Sequence, residues 1–144
     1  MSRIVGTSSS AGERKRLLKE VASVFAHTNV AQPTPAEESD LVAYLALLLD
    51  RIAATVDRSA GAWEKRGYWL KADRLRQEWT WVGSALRTAE DTLRNGTSVR
   101  EALAGFSELR AKTEAFAAPS RRRKTTPWAG AAEAWSQSRR AASF

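Results

Sequence analysis

Between Ala62 and Leu93 the sequence AWEKRGYWLKADRLRQEWTWVGSALRTAEDTL places arginine and tryptophan at spacings suited to a polyanion. At about 100° per residue, Trp69, Arg76, Arg87 and Arg94 fall on one flank of a helix, while Trp63, Leu70, Arg74 and Trp81 fall on the face opposite its apolar stripe. A guanidinium fork grips phosphate bidentately, and an open indole gives a base a plane to stack on. Arg74, Arg76, Arg87 and Arg94 are therefore the candidate phosphate contacts, and Trp63, Trp69 and Trp81 the candidate stacking or partner contacts. The competing reading has a neighbouring segment cover Trp63 and Trp81, because tryptophan is mostly buried in folded chains.

A second basic and aromatic cluster begins at Arg121-Arg122-Arg123-Lys124, and Thr126-Pro127 then supplies a cap and first helical residue. Trp128, Ala131, Ala132 and Trp135 share one face beyond it, followed by Arg139 and Arg140. Residues 119–144 hold six basic residues against Glu133, or +5 of the net +7. A run of this kind finds a polyanion, so Arg121, Arg122, Arg123 and Lys124 join the candidate phosphate contacts. Trp128 and Trp135, seven apart, dock their helix either on its own bundle or on a partner.

Catalytic parts are missing. There is no glycine-rich phosphate loop and no nucleophile–base pair, cysteine is absent, and His27 is the single histidine. Thiolate and histidine metal sites are thereby excluded. The acids Glu37, Glu38, Asp40, Asp50 and Asp57 lack the Glu-x-x-His repeats of a di-metal bundle. The chain is expected to be no enzyme, with no catalytic residues, metal or cofactor. Arginine and tryptophan on a helix also suit a membrane interface, but the complete core stripes and dispersed acids argue against one. Without a signal peptide or long apolar run, a cytoplasmic location and no membrane partner are expected.

The elements that carry these residues are all helical. Tyr68, Ala72, Leu75, Trp79, Val82, Leu86, Ala89 and Leu93 recur at alternating steps of four and three, and Asn95-Gly96 follows as a left-handed cap. Ser10 with Glu13, Thr34-Pro35 with Glu37, and Ser98 with Glu101 form capping boxes. The patterns predict an all-α fold: a single bundle of four main helices over about 11–28, 35–60, 62–94 and 99–117, plus a short C-terminal helix over about 127–141. Residues 1–9 are expected to be a flexible arm, 10–118 the bundle and 119–144 a basic, tryptophan-containing extension. The core is expected from Leu17, Val21, Phe25, Leu41, Leu45, Leu48, Ile52, Leu75, Trp79, Val82, Leu86, Leu103, Phe106 and Leu109.

A hydrophobic content of 43% with 27% charged residues suits a globular chain, and 144 residues suffice for one core. Of 23 basic residues 17 are arginine, which leans toward nucleic acid, although an alanine- and arginine-rich chain is also what a high-GC genome writes. A small, basic, cysteine-free helical chain with arginines along a bundle face resembles the small subunit of multisubunit CRISPR effector complexes, with WEKRGYWLKADRLRQEWTW as its most distinctive run. The resemblance implies a non-catalytic bundle that stacks in several copies and holds single-stranded RNA or DNA without base specificity. Its partners would be nucleic acid and other protein subunits, copies of itself among them. The alternative is a helical protein–protein adaptor, or a phage scaffold or DNA-binding protein, whose tryptophan-rich faces dock a partner.

Overall fold

The most apolar segment forms the longest helix, and the other elements cover it. In the computed structural model residues 9–30, 33–96, 106–116 and 125–142 are described. Their order is α1 (Ser10–Val30), α2 (Pro35–Lys65), α3 (Trp69–Glu78), α4 (Thr80–Asn95), α5 (Ser107–Thr113) with a 3-10 turn over Glu114–Phe116, and α6 (Ala131–Ala142). No strand occurs among the described residues, so the all-α expectation holds.

α2 starts as its sequence predicts. The Thr34 hydroxyl accepts the Glu37 amide at 3.2 Å, and Pro35 occupies the first turn. Leu41, Val42, Ala43, Leu45, Ala46, Leu48, Leu49, Ile52 and Val56 are buried, a pattern too wide for one neighbour to cover. α1, α4 and α6 pack on α2 around one large apolar cluster. α3 packs against its far end through a smaller one, formed by Val56, Ala60, Ala72 and Leu75 with Trp63 and Trp79 alongside. α5 closes on α1 and α4 and brings Phe106 and Leu109 inward.

Several boundaries differ from the sequence reading. α1 is capped by Ser9, whose hydroxyl accepts the Gly12 amide at 3.0 Å, rather than by Ser10. Glu13 instead crosses to α2 and meets Arg58 at 2.7 Å. α2 does not stop at about residue 60 but runs on to Lys65. The single helix expected over 62–94 is the end of α2, a turn, α3 and α4, the last two separated at Trp79. The Thr80 hydroxyl donates back to the Gln77 carbonyl at 2.7 Å, and the Trp79 amide is shared between the Leu75 and Arg76 carbonyls. Such back-bonding bends a helix. The apolar stripe survives the break except at its first member, since Tyr68 is exposed. Gly96 forms the expected left-handed cap at φ +71°.

Arg14 tethers the bend. Only 7% exposed, it donates to the Thr55 hydroxyl at 3.2 Å and lies 5.1 Å from the Trp79 ring. Burial pushes its guanidinium below the ordinary value, an effect that Glu78 opposes. The cation's desolvation is offset by two hydroxyls and an indole face rather than by a carboxylate in contact.

Of the two placements open to the C-terminal helix, the structure shows docking on its own bundle: Trp128 and Trp135 sit in the main core cluster. The Trp128 indole donates to Glu37 at 3.2 Å and lies 4.5 Å from the His27 ring. Asp40 accepts the Gly130 amide at 3.2 Å and the Ala132 amide at 3.0 Å, and so caps α6 from another helix. Glu37 and Asp40 therefore hold the last helix in place. Leu103, Ser98, Glu101, Arg121, Arg122, Arg123, Lys124 and the arm residues 1–8 lie outside the described residues.

Two substitutions test this core. Leu48→Asp places an unpaired carboxylate in the main core cluster and is expected to abolish the cooperative thermal melt seen by circular dichroism. Trp128→Ala is expected to cost about 3–5 kcal/mol in urea denaturation, as for a buried aromatic. A loss below about 1 kcal/mol, the scale of a surface change, would contradict the docking of α6.

Candidate functional site

The turn between α2 and α3 is built by one glycine. Trp63 begins the last turn of α2, and the Tyr68 amide returns to its carbonyl at 2.9 Å. The Gly67 amide bonds the Glu64 carbonyl at 3.0 Å, with Gly67 at φ +84°. This double closure is a Schellman motif, which needs a left-handed residue where Gly67 stands. α2 ends there, and Tyr68, Trp69 and Leu70 emerge on the outer side of the corner.

These three residues are 55%, 65% and 64% exposed, and they are the large hydrophobic side chains that the described structure leaves to water. Lys65 and Arg66 precede them; Lys71 and Arg74 follow, all four exposed. Three of the nearby acids are engaged, and a fourth, Glu78, lies one turn beyond Arg74. Glu64 takes Arg76 at 2.6 Å, which also approaches Asp57 at 3.7 Å. Asp73 accepts from Gln77 at 3.2 Å. Lys65, Arg66 and Arg74 make no ion pair among the described residues, and Lys71 lies 4.8 Å from the Trp63 ring. α3 also begins without a side-chain cap, so its dipole adds to the positive potential. The corner combines an aromatic and aliphatic surface with uncompensated cations.

The four arginines expected as phosphate contacts on the long helix are divided. Arg74 is free at the corner. Arg76 is tied to Glu64, whose hydrogen bond holds its guanidinium above the ordinary value, with Asp57 adding to the effect. Arg87 donates to Ser84 at 3.3 Å, and Arg94 pairs with Asp91 at 2.8 Å. The bend at Trp79 separates the first two from the others. Among the tryptophans, Trp69 is exposed. Trp63 packs on the smaller cluster, Trp81 on the larger one with its ring 5.5 Å from Trp79. Trp128 and Trp135 are buried by their own bundle, which removes both from any stacking role.

A groove of about 630 Å³ between α4 and α6 gathers Arg94, Arg139 and Arg140 near Trp135. Each of its arginines is matched: Arg94 by Asp91, Arg139 by Glu90 at 3.4 Å, and Arg140 by Glu133 at 3.6 Å. Arg139 also covers the Trp135 ring at 3.9 Å. The groove therefore carries less free charge than the corner. Among the described residues no cluster of histidine, cysteine or acid side chains is arranged to hold a metal ion, and no helix is long and apolar enough to cross a membrane.

Lys65, Arg66, Tyr68, Lys71 and Leu70 were not singled out by their spacing as contacts. The signal was present in Lys65-Arg66-Gly67, a cationic last turn followed by glycine, which is how helices commonly end. No protein-family model, curated protein or solved structure matches the chain. The fold and the corner together define an all-α bundle that presents one cationic aromatic tip.

Two glycines test the position of that tip. Gly67→Ala is expected to destabilise by about 1 kcal/mol or more, because φ is positive although nothing lies within 4 Å of the added carbon. Gly61→Ala, in a helix interior with equally open space, is expected to stabilise by about 0.5–1 kcal/mol. Urea denaturation of the pair reads the sign directly, and equal signs would place the helix end elsewhere.

Proposed function

We propose that this chain is a non-catalytic subunit that holds a nucleic-acid backbone without reading its bases, and that the α2–α3 corner is its principal contact. The observation that supports the reading is the grouping of unpaired cations. Lys65, Arg66 and Arg74 keep their charge free while most other described arginines are matched with acids. Surface charge without a partner in its own chain is available to phosphate, and such contact positions a strand without specifying sequence. Arg121, Arg122, Arg123 and Lys124 would add to it from the segment before α6. The resemblance to small subunits of CRISPR effector complexes fits this role, with several copies stacked along a strand inside a ribonucleoprotein.

Binding of this kind weakens with salt, because each neutralised phosphate releases counterions. Replacing Lys65, Arg66, Lys71 and Arg74 together by alanine is expected to lower the affinity for single-stranded RNA or DNA. It should also reduce the slope of log affinity against log salt by up to about 2.8, at roughly 0.7 per phosphate. Fluorescence anisotropy across a salt series measures both. An unchanged slope would exclude the corner, and a loss produced instead by alanine at Arg94, Arg139 and Arg140 would move the site to the α4–α6 groove.

A protein-docking reading has its own support in the contiguous exposure of Tyr68, Trp69 and Leu70. Tyrosine, tryptophan and arginine dominate binding energy at protein interfaces. Purified protein that carries no nuclease-sensitive absorbance at 260 nm, yet assembles with an acidic partner through Trp69, would favour the adaptor.

A further inference from the structure

The corner offers two exposed aromatic rings, consecutive in sequence, as well as charge, and that combination selects among polyanions. Of the six tryptophans, Trp69 alone is exposed; the other five are wholly or partly buried. Tyr68 precedes it at the last position of the turn, also exposed. A duplex hides its base faces within the stack and shows only edges and phosphates, so rings on an outer corner gain nothing from them. A single strand has open faces, and stacking on aromatic side chains tolerates any base. An anionic membrane is the weaker match. A membrane-surface helix presents a continuous apolar face, whereas Tyr68, Trp69 and Leu70 are consecutive residues at the start of α3 and form no such face.

We infer that the corner holds single-stranded nucleic acid, with consecutive bases stacked on Tyr68 and Trp69. The flanking phosphates lie on Lys65 and Arg66 to one side and on Lys71 and Arg74 to the other, and Leu70 gives apolar contact to the sugar between. This rests on the polyanion reading above and adds the state of the strand to it. The same arrangement explains how an apolar tip stays in water without a partner in its own fold: the cations around it keep the free surface soluble.

The test uses the full chain and three probes of equal backbone length: an oligo(dT) strand, an abasic strand, and a duplex. Trp69→Ala is expected to weaken oligo(dT) binding about tenfold, as for loss of one stacked base, and to leave the abasic strand and duplex unchanged. Trp69→Phe should recover much of the loss, since a ring is retained. Fluorescence of the unaltered chain should be quenched by oligo(dT) and not by the abasic strand, with the quenched component absent from the Trp69→Ala variant. Oligo(dT) and abasic affinities that are equal, or a Trp69→Ala variant that binds oligo(dT) as the unaltered chain does, overturn the inference. If the four-cation variant still loses binding in that case, the charge reading survives and stacking alone fails. If neither variant changes binding, both fail. Anionic phosphatidylserine vesicles serve as the last arm: a Trp69-dependent blue shift on vesicles, without binding to oligo(dT), would assign the tip to a membrane surface instead.

Discussion

From Leu41 to Leu49 no position of α2 is exposed, and a helix without a wet face must be covered all round. That requirement sets most of the architecture. α1 and α4 alone leave the first turns of α2 open, and α6 supplies the missing wall with Trp128, Ala131 and Trp135. The far end of α2, where the apolar face narrows to Val56 and Ala60, needs only the short α3. The bend at Trp79 follows from the same geometry: α3 and α4 cover different stretches of one long helix, with Arg14 packed where they meet.

Charge is distributed by a second rule. Acids inside the bundle are used to hold it together: Glu37 and Asp40 receive α6, Glu13 joins α1 to α2, and Glu90 fixes Arg139. Exposed pairs of this type add little stability each, roughly 0–1 kcal/mol. Their larger effect is on what remains. Where acids are engaged with other partners, cations beside them stay unpaired, and the α2–α3 corner is such a place. The aromatic residues follow a parallel division, with Trp128 and Trp135 inside, Trp63 and Trp81 half covered, and Trp69 outside.

Helix content and core were legible in the sequence because they depend on periodicity. Leu17, Val21, Phe25, Leu41, Leu45, Leu48, Ile52, Leu75, Val82, Phe106 and Leu109 are all buried as their spacing requires. Interruptions were not legible in the same way. The four-and-three stripe continues in register through the bend at Trp79, so periodicity cannot report it; the cause is a threonine hydroxyl competing for a carbonyl. Gly61 and Gly67 are alike as letters, and the cations before Gly67 are the one local hint to which of them ends a helix. The position of α6 was hidden for another reason. Its anchors, Glu37 and Asp40, lie about ninety residues earlier in the chain, and local patterns carry no information on contacts that distant. The candidate site shared both problems: Trp69 and Arg74 were visible as a basic aromatic face, whereas their companions depended on the turn at Gly67.

The clamp between Asp40 and α6 also bears on how the chain is made. Translation delivers α2 long before the residues that cover its first turns. Until residues 125–142 have left the ribosome, the seat of Trp128 against His27 and Tyr44 is open. Domains fold as units, N-terminal parts first, and surface exposed in the interval is prone to aggregate. Loop-closure cost rises only logarithmically with length, so a link of this span adds little to the equilibrium. The burden is one of timing. The nascent chain waits with its central helix part-covered, and the apolar seat that α6 later fills stays accessible in that interval.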